Sequence, residues 1–384
     1  QEIIEKEFNS KVRIKLSDDK KYYNINKNFN NNITYYNGQL DNILKFKFSK
    51  IDNFDKFDTE PALFRDNIIF FDNKGTIFNI DTKNSLKWKK NIYSKIEKKK
   101  KPILIFQINN DKLIVTDSLG KFYSLNVNTG KLLWSKTNNA PFNSEIKIDG
   151  NRVYITDIEN VLRCFSLKNG KELWFIKTEK IFLKSQKKTS IVIVDNLIIF
   201  GNSAGDISAV NKNNGELIWQ ISTNNKNLKK SKTLLKTSEL IVYKNYVFFS
   251  NNSNEAYLID LISGSIVWKQ DINSFIKSSI INNLIFTITT NGFLVVTDLT
   301  TGNIIRITDT FKEHKKRKLI KPVGFALGIK KIYLSTNKGR LIIIDVENGK
   351  KIDEIKLDNN IISKPFIMEK NLIIAKDNSL LLVN

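Results

Sequence analysis

The sequence predicts an all-β fold, an eight-bladed β-propeller of four-stranded antiparallel blades, and three observations carry that expectation. A hairpin pattern recurs eight times at intervals of 38 to 49 residues. The five tryptophans of the chain all fall in one register of that pattern. The eighth copy stops a strand short at Asn384, while an unpaired strand, Leu44 to Phe48, stands ahead of the first copy. Self-similarity at such a period marks a repeat architecture rather than two or three ordinary domains.

The turns set the register. A residue suited to positive φ stands six places before a small polar turn residue at Gly75 and Asp81, Gly120 and Asn126, Asn160 and Ser166, Gly205 and Asn211, Asn254 and Asp260, Gly292 and Asp298, Gly339 and Asp345, and Asn378 and Asn384. Only Gly or Asn fills the first place, the residues that enter the left-handed region most cheaply. The second-place residues, such as Asp260, Asp298 and Asp345, read as Asx-turn formers and not as metal ligands.

Between the turns run short alternating segments. In the fourth unit these are Ser190 to Val194, Leu197 to Gly201, Asp206 to Val210 and Glu216 to Ile221. Apolar alternation between Asn/Gly punctuation predicts strands joined by tight turns. The eighth unit supplies Phe366 to Met368, Leu372 to Ala375 and Leu380 to Val383, and nothing remains for a fourth strand. Leu44 to Phe48, reading LKFKF, is the spare strand that completes it. Pairing it beside Leu380 to Val383 closes the ring and removes two exposed sheet edges. Residues 43–384 are therefore expected to form the propeller. Residues 1–42, rich in Asn and Lys with few apolar groups, are expected to be an N-terminal extension, partly extended or disordered.

Fourteen residues after the first turn position stand Trp134, Trp174, Trp219 and Trp268, and Trp88 comes one residue early. On an outer strand, a ring of that size laid against the next blade buries about 150 to 250 Å². Five such rings in one structural position predict blade packing rather than a cofactor site. The sixth and seventh units carry Arg306 and Asp353 there, which predicts looser packing at those two junctions.

Composition narrows the function classes. The net charge is +23, with 62 Lys and Arg against 39 Asp and Glu. Lys, Asn and Ile all have A/T-only codons, so part of this load follows base composition; the rest favours acidic proteins, anionic lipid surfaces or nucleic acid as partners. No apolar run approaches the ~20 residues that a membrane helix needs. A single cysteine, Cys164, excludes an internal disulfide, and a single histidine, His314, leaves no His cluster for metal binding or acid–base chemistry.

Stretches such as SLNVNTGKLLW, AVNKNNGELIW and LIDLISGSIVW resemble the repeat of quinoprotein-type (PQQ-like) propellers. Within that superfamily, residues 44–384 look most like the BamB family of outer-membrane assembly factors. The resemblance implies a periplasmic lipoprotein with no catalytic activity and no cofactor, lipid-anchored through a cysteine upstream of this chain and peripheral to the outer membrane. It implies binding to the POTRA domains of a BamA-like protein, with unfolded outer-membrane proteins as a further class of partner. In that family an inter-blade loop with a Leu-x-Leu-Arg pattern contacts BamA. The matching stretch here is IFLK, which places the partner contact on Ile181, Leu183 and Lys184. Isoleucine replaces the first leucine, and lysine replaces arginine, which loses the planar fork and its bidentate pairing.

In a propeller whose first strand is innermost, the inter-blade loops and the loops between second and third strands emerge on one face. The lysine runs Lys98 to Lys101, Lys184 with Lys187 and Lys188, Lys226 to Lys232, and Lys315 to Lys318 beside His314 all sit in inter-blade loops. That face is expected to be electropositive and to dock an acidic protein surface. Two alternatives stay open. Relatives with this repeat hold pyrroloquinoline quinone and Ca²⁺ and oxidise alcohols or sugars, although they are generally longer and many use an adjacent cysteine pair. A general anionic-surface binder would also suit the charge, but no specific nucleic-acid site is expected, because LKFKF alternates on opposite faces of a strand and makes no stacking platform.

Overall fold

The protein is described here from a computed structural model, over residues 6–17, 29–31, 33–34, 36, 40, 42–48, 60–179, 187–223, 234–368 and 371–383. Among these residues, thirty-two strands, β1 to β32 in chain order, form eight four-stranded sheets. Seven sheets use consecutive strands. The first comprises β2 (Ala62–Phe64), β3 (Asn67–Phe71), β4 (Ile77–Asp81) and β5 (Leu86–Lys90), and the seventh runs from β26 (Pro322–Leu327) to β29 (Lys351–Lys356).

The eighth sheet has the order β1-β32-β31-β30, from β1 (Ile43–Lys47), β32 (Ser379–Val383), β31 (Asn371–Lys376) and β30 (Phe366–Met368). The amino-terminal strand thus lies beside the last strand of the chain, as the sequence predicts, and Phe48 N donates to Asn378 O at 3.0 Å. Phe46 and Phe48 meet Phe78 and Phe70 of the first sheet, with ring centroids 5.9 and 5.4 Å apart. Leu44, expected on the same face, stays 40% exposed. These sheets are the blades of an eight-bladed propeller.

Turn chemistry explains the regularity. Seven of the eight first turn positions, Gly75 to Gly339, adopt φ between +59° and +91°. At the second turns the acid opens an Asx turn: Asp260 Oδ1 accepts from Ile262 N (3.1 Å) and Ser263 N (2.8 Å), and Asp298 Oδ1 from Thr300 N (2.9 Å) and Thr301 N (2.8 Å). In each of the seven consecutive-strand sheets the register between third and fourth strands slips by one residue. The residue before each slip faces the tryptophan position, as Ser124 faces Trp134 and Leu258 faces Trp268. A bulge of this kind re-aims the strand and its side chains.

The chain forms two compact units. One contains Gln1–Asn42, Leu235–Ala375 and Val383–Asn384, the other Ile43–Leu234 and Lys376–Leu382. In the first unit the sixth and seventh sheets share a core that includes Phe286, Phe311, Phe325 and Leu334. In the second, Phe122, Phe142 and Phe165 pack together beside Trp134. A one-turn helix, α1 (Lys95–Lys99), follows the first sheet. Its capping box joins Ser94 to Glu97, and Glu97 also pairs with Lys121 at 2.9 Å. The hydrogen bonds from Lys121 and from the Ser94 backbone hold the Glu97 pKa down to about 2.

The described part of the amino-terminal extension lies against the first unit. Phe8 forms an antiparallel bridge with Ile307 on the last strand of the sixth sheet, β25 (Ile304–Asp309). Farther along, Asn31 exchanges hydrogen bonds with Ile280 N (2.9 Å) and O (2.6 Å), and Thr34 N donates to Leu327 O (2.9 Å). The chain thereby supplies partners to the first strands of the sixth and seventh sheets, whose backbone groups would otherwise need water.

Candidate docking face and the junctions behind it

The tryptophans sit on glycines. Trp88 in β5 lies so close to Gly130 of the next sheet that a Cβ there would stand 2.8 Å from the indole Cε3. Trp134 covers Gly170 (2.7 Å), Trp174 covers Gly215 (2.7 Å) and Trp268 covers Gly302 (2.8 Å) in the same way. These four glycines have φ between +69° and +76°, so the residue that closes the turn without strain also leaves a flat floor for the ring. Indole Nε1 then donates to the carbonyl just after the turn-opening residue: Val127 O from Trp88 (2.9 Å), Leu167 O from Trp134 (3.3 Å) and Leu299 O from Trp268 (2.8 Å). At the third junction the equivalent carbonyl, Lys212 O, accepts from Tyr154 Oη (3.1 Å) and Arg152 Nη1 (3.1 Å), and Trp174 Nε1 has no partner among the described residues. Trp219, in β17 (Leu217–Ser222), is buried.

The sixth unit corrects the expectation of a looser junction. Arg306 has 0% exposure. Its Nη2 donates to Val346 O (2.9 Å), the carbonyl that an indole would reach, and its Nη1 to Glu347 O (2.5 Å) and Val12 O (3.1 Å). A Cβ on Gly349 would stand 3.2 Å from the guanidinium carbon, so the planar group lies on its glycine as the rings do. Arginine is flat and carries several fixed donors, which lets it replace both the stacking and the hydrogen bond of tryptophan. Burial pulls its pKa down, and the charge of Asp345 works against that. Asp353, in the seventh unit, is exposed and its carboxylate accepts from the neighbouring Glu354 N (2.7 Å).

Ile181, Leu183 and Lys184 lie outside the described residues, as does the run Lys226 to Lys232. The segments on either side of residues 180–186 are fixed. Before them, Thr178 Oγ1 donates to Asn160 O (2.9 Å) and Asn160 Nδ2 to Glu179 O (2.9 Å). After them, Lys188 pairs with Glu60 (2.8 Å) and Thr189 N donates to Asn143 O (2.8 Å). Of the other lysine runs, Lys98 to Lys101 belong to α1 and its exit, and Lys315 to Lys318 surround a short 3₁₀ turn at Arg317–Leu319. Arg317 there pairs with Asp309 (2.8 Å), and His314 Nε2 stands 3.2 Å from Glu354.

One set of charged residues escaped the sequence reading. Glu60, Glu145, Glu239, Lys277 and Lys364 each stand four places before the last paired residue of a first strand, namely Phe64, Asp149, Tyr243, Ile281 and Met368. In the first unit Glu239 bridges Lys277 (2.6 Å) and Lys364 (3.0 Å). In the second, Glu145 pairs with Lys147 (3.0 Å) and accepts from Ser190 Oγ (3.3 Å). A buried carboxylate needs such partners to offset its lost hydration. The signal was available: the charge recurs at one register position, but it is visible only once the first strands are aligned by their turns. Asp117 is likewise structural, accepting from Tyr93 Oη (2.6 Å), Leu119 N (2.8 Å) and Lys121 N (2.7 Å), while burial pushes its pKa up. Among the described residues, no group of three or more His, Cys, Asp or Glu could hold a metal ion.

Solved structures share this architecture. BamB from Moraxella catarrhalis superposes with a TM-score of 0.69 at 14% identity, covering 89% of this chain and 100% of that one. The quinohemoprotein alcohol dehydrogenase from Comamonas testosteroni gives 0.68 at 8% identity, covering 92% and 79%. A computationally designed protein, Ika8, gives 0.66 at 11% identity, covering 88% and 100%. At these identities the likeness is one of fold alone, and it spans BamB, an alcohol dehydrogenase and a designed protein. No curated protein matches. The sequence family described as outer membrane protein assembly factor BamB, however, matches residues 73–308, more than half of the chain. This chain belongs to the BamB family of propellers.

Proposed function

We propose that this chain is a non-catalytic scaffold subunit of the outer-membrane β-barrel assembly machinery, held at the periplasmic face of the outer membrane. Its role is to bind the POTRA region of a BamA-like protein and so assist insertion of outer-membrane proteins. The observation that carries this reading is the family match over residues 73–308. The docking site is the loop holding Ile181, Leu183 and Lys184. The two aliphatic residues supply the central contact, and the surrounding lysines raise the encounter rate with an acidic surface. The described residues on both flanks of that stretch are tied to the framework.

The non-catalytic part of the reading is favoured by the first-strand acids, which are held by lysines or serine hydroxyls. Co-purification from native membranes at moderate salt tests the proposal. A large β-barrel protein with POTRA domains is expected to come with the chain, and its repeated absence would overturn the assignment. In parallel, incubation with pyrroloquinoline quinone and Ca²⁺ is expected to leave the quinone absorption spectrum unchanged; a shifted spectrum would return the dehydrogenase reading.

A further inference from the structure

The amino-terminal extension shows what the outer edge of a blade can accept. Phe8 N donates to Ile307 O (3.1 Å) and Ile307 N to Phe8 O (2.9 Å), while Asn9 Nδ2 reaches Ile305 O (3.2 Å). Phe8 has added itself, as a single bridging residue, beside β25, the last strand of its sheet, before the chain turns at Asn9. The edge groups that Phe8 and Asn9 use belong to residues 305 and 307, one on each side of Arg306.

Among the described residues, the third sheet presents the same edge without such a covering. Its last strand, β13 (Glu172–Lys177), has only β12 (Val161–Ser166) as a neighbour. Phe175 pairs with Arg163 as Ile307 pairs with Val295, and both sheets carry the register slip at the same place, so Leu173 and Phe175 occupy the positions of Ile305 and Ile307. Leu173 is 47% exposed and Phe175 50% exposed, which is a large apolar surface for an unpaired sheet edge. Beside it runs a groove of about 550 Å³ between the second and third sheets, lined by Lys136, Arg163, Phe165 and Lys171 among others. Arg163 is engaged by Asp157 (2.9 Å) and Glu172 (2.7 Å), which consumes the one carboxylate lining the groove. Lys136 and Lys171 are exposed and have no ion pair among the described residues.

We propose that β13 and this groove form a second docking strip, for an extended acidic segment of another protein. The segment adds as a fifth strand, its backbone meeting the edge groups of Leu173 and Phe175. Its side chains then alternate, and the set facing the groove places carboxylates near Lys136 and Lys171. The proposal does not depend on the role assigned to residues 180–186.

The probe is a labelled ten-residue peptide of alternating Val and Glu, titrated into the full chain by fluorescence anisotropy at low salt, beside an isomer with two interior valines changed to proline and a counterpart with Lys in place of Glu. Binding of the first peptide alone is expected, with a loss of at least tenfold on introducing proline and at least tenfold in the doubly substituted Lys136→Glu, Lys171→Glu variant. Circular dichroism of that variant should match the parent, since both side chains are exposed. Equal binding of the proline isomer would show charge attraction without strand addition and overturn the proposal. Unchanged binding by the double variant, or no binding of the first peptide at millimolar concentration, would overturn it as well. Loss of partner binding on changing Leu183 would leave this result untouched, so the two sites fail independently.

Discussion

Two junctions of the same unit solve one packing problem with different chemistry. Between the fifth and sixth sheets, Trp268 lies on Gly302 and donates one hydrogen bond, to Leu299 O at 2.8 Å. Between the sixth and seventh, Arg306 lies on Gly349, reaches the equivalent carbonyl of Val346 and adds bonds to Glu347 and to Val12 of the amino-terminal extension. The indole contributes apolar area; the guanidinium contributes donors. The lesson is that at these two junctions a flat group with a donor lies over a glycine turn, and that a charged residue can meet that need if carbonyls surround it.

The comparison can be broken from either side. Trp268→Ala is expected to cost most, about 4 kcal/mol from lost area and the void left behind. Its measure is the shift of the denaturant midpoint. Arg306→Ala should cost less, about 3 kcal/mol, since it leaves buried carbonyls without donors but relieves the burial of a charge. In addition it should loosen residues 8–14, seen as faster amide exchange at Phe8 and Ile14, because Val12 O loses its donor. If exchange there is unchanged, Arg306 does not hold the extension. Phenylalanine at two tryptophan positions sharpens the contrast. Trp268→Phe should cost about 1 kcal/mol for its hydrogen bond, whereas Trp174→Phe should cost clearly less, because Trp174 Nε1 has no partner to lose. Equal costs would mean that the donor is irrelevant to the junction.

The smallest effect is in pH. The Glu97 pKa, held at about 2 by Lys121 and the Ser94 backbone, lies below that of an unfolded glutamate, about 4.3. A depressed carboxylate contributes stability above its unfolded pKa and loses it as pH falls through the folded value. The capping of α1 should therefore weaken between roughly pH 4 and pH 2, read as faster amide exchange at Glu97 and Lys98, with no change between pH 5 and pH 8.

Much of the fold was legible because it is written in backbone chemistry. Gly and Asn at the first turns, Asx residues at the second and the spare strand ahead of Pro61 together define the blade, its register and its closure. Arg306 was misread because hydrophobicity alone ranks it below tryptophan; the glycine at position 349, in the register of Gly130 and Gly302, was the better guide. The pairs around Glu239 were missed because Lys277 and Lys364 come from other sheets, and the Glu145–Lys147 pair because its charges stand out only once the first strands are aligned by their turns. Ile181, Leu183 and Lys184 rest on family resemblance and lie outside the described residues.

The division of labour proposed here, packed junctions that hold neighbouring blades together and residues 181–184 that bind, is tested most directly at Leu183. The affinity of the purified chain for the POTRA fragment of a BamA-like protein should be measured for the parent and for Leu183→Asp, together with the denaturant midpoint of each. The account predicts that binding is lost while the midpoint stays where it was. Retained affinity in a correctly folded Leu183→Asp variant would contradict it.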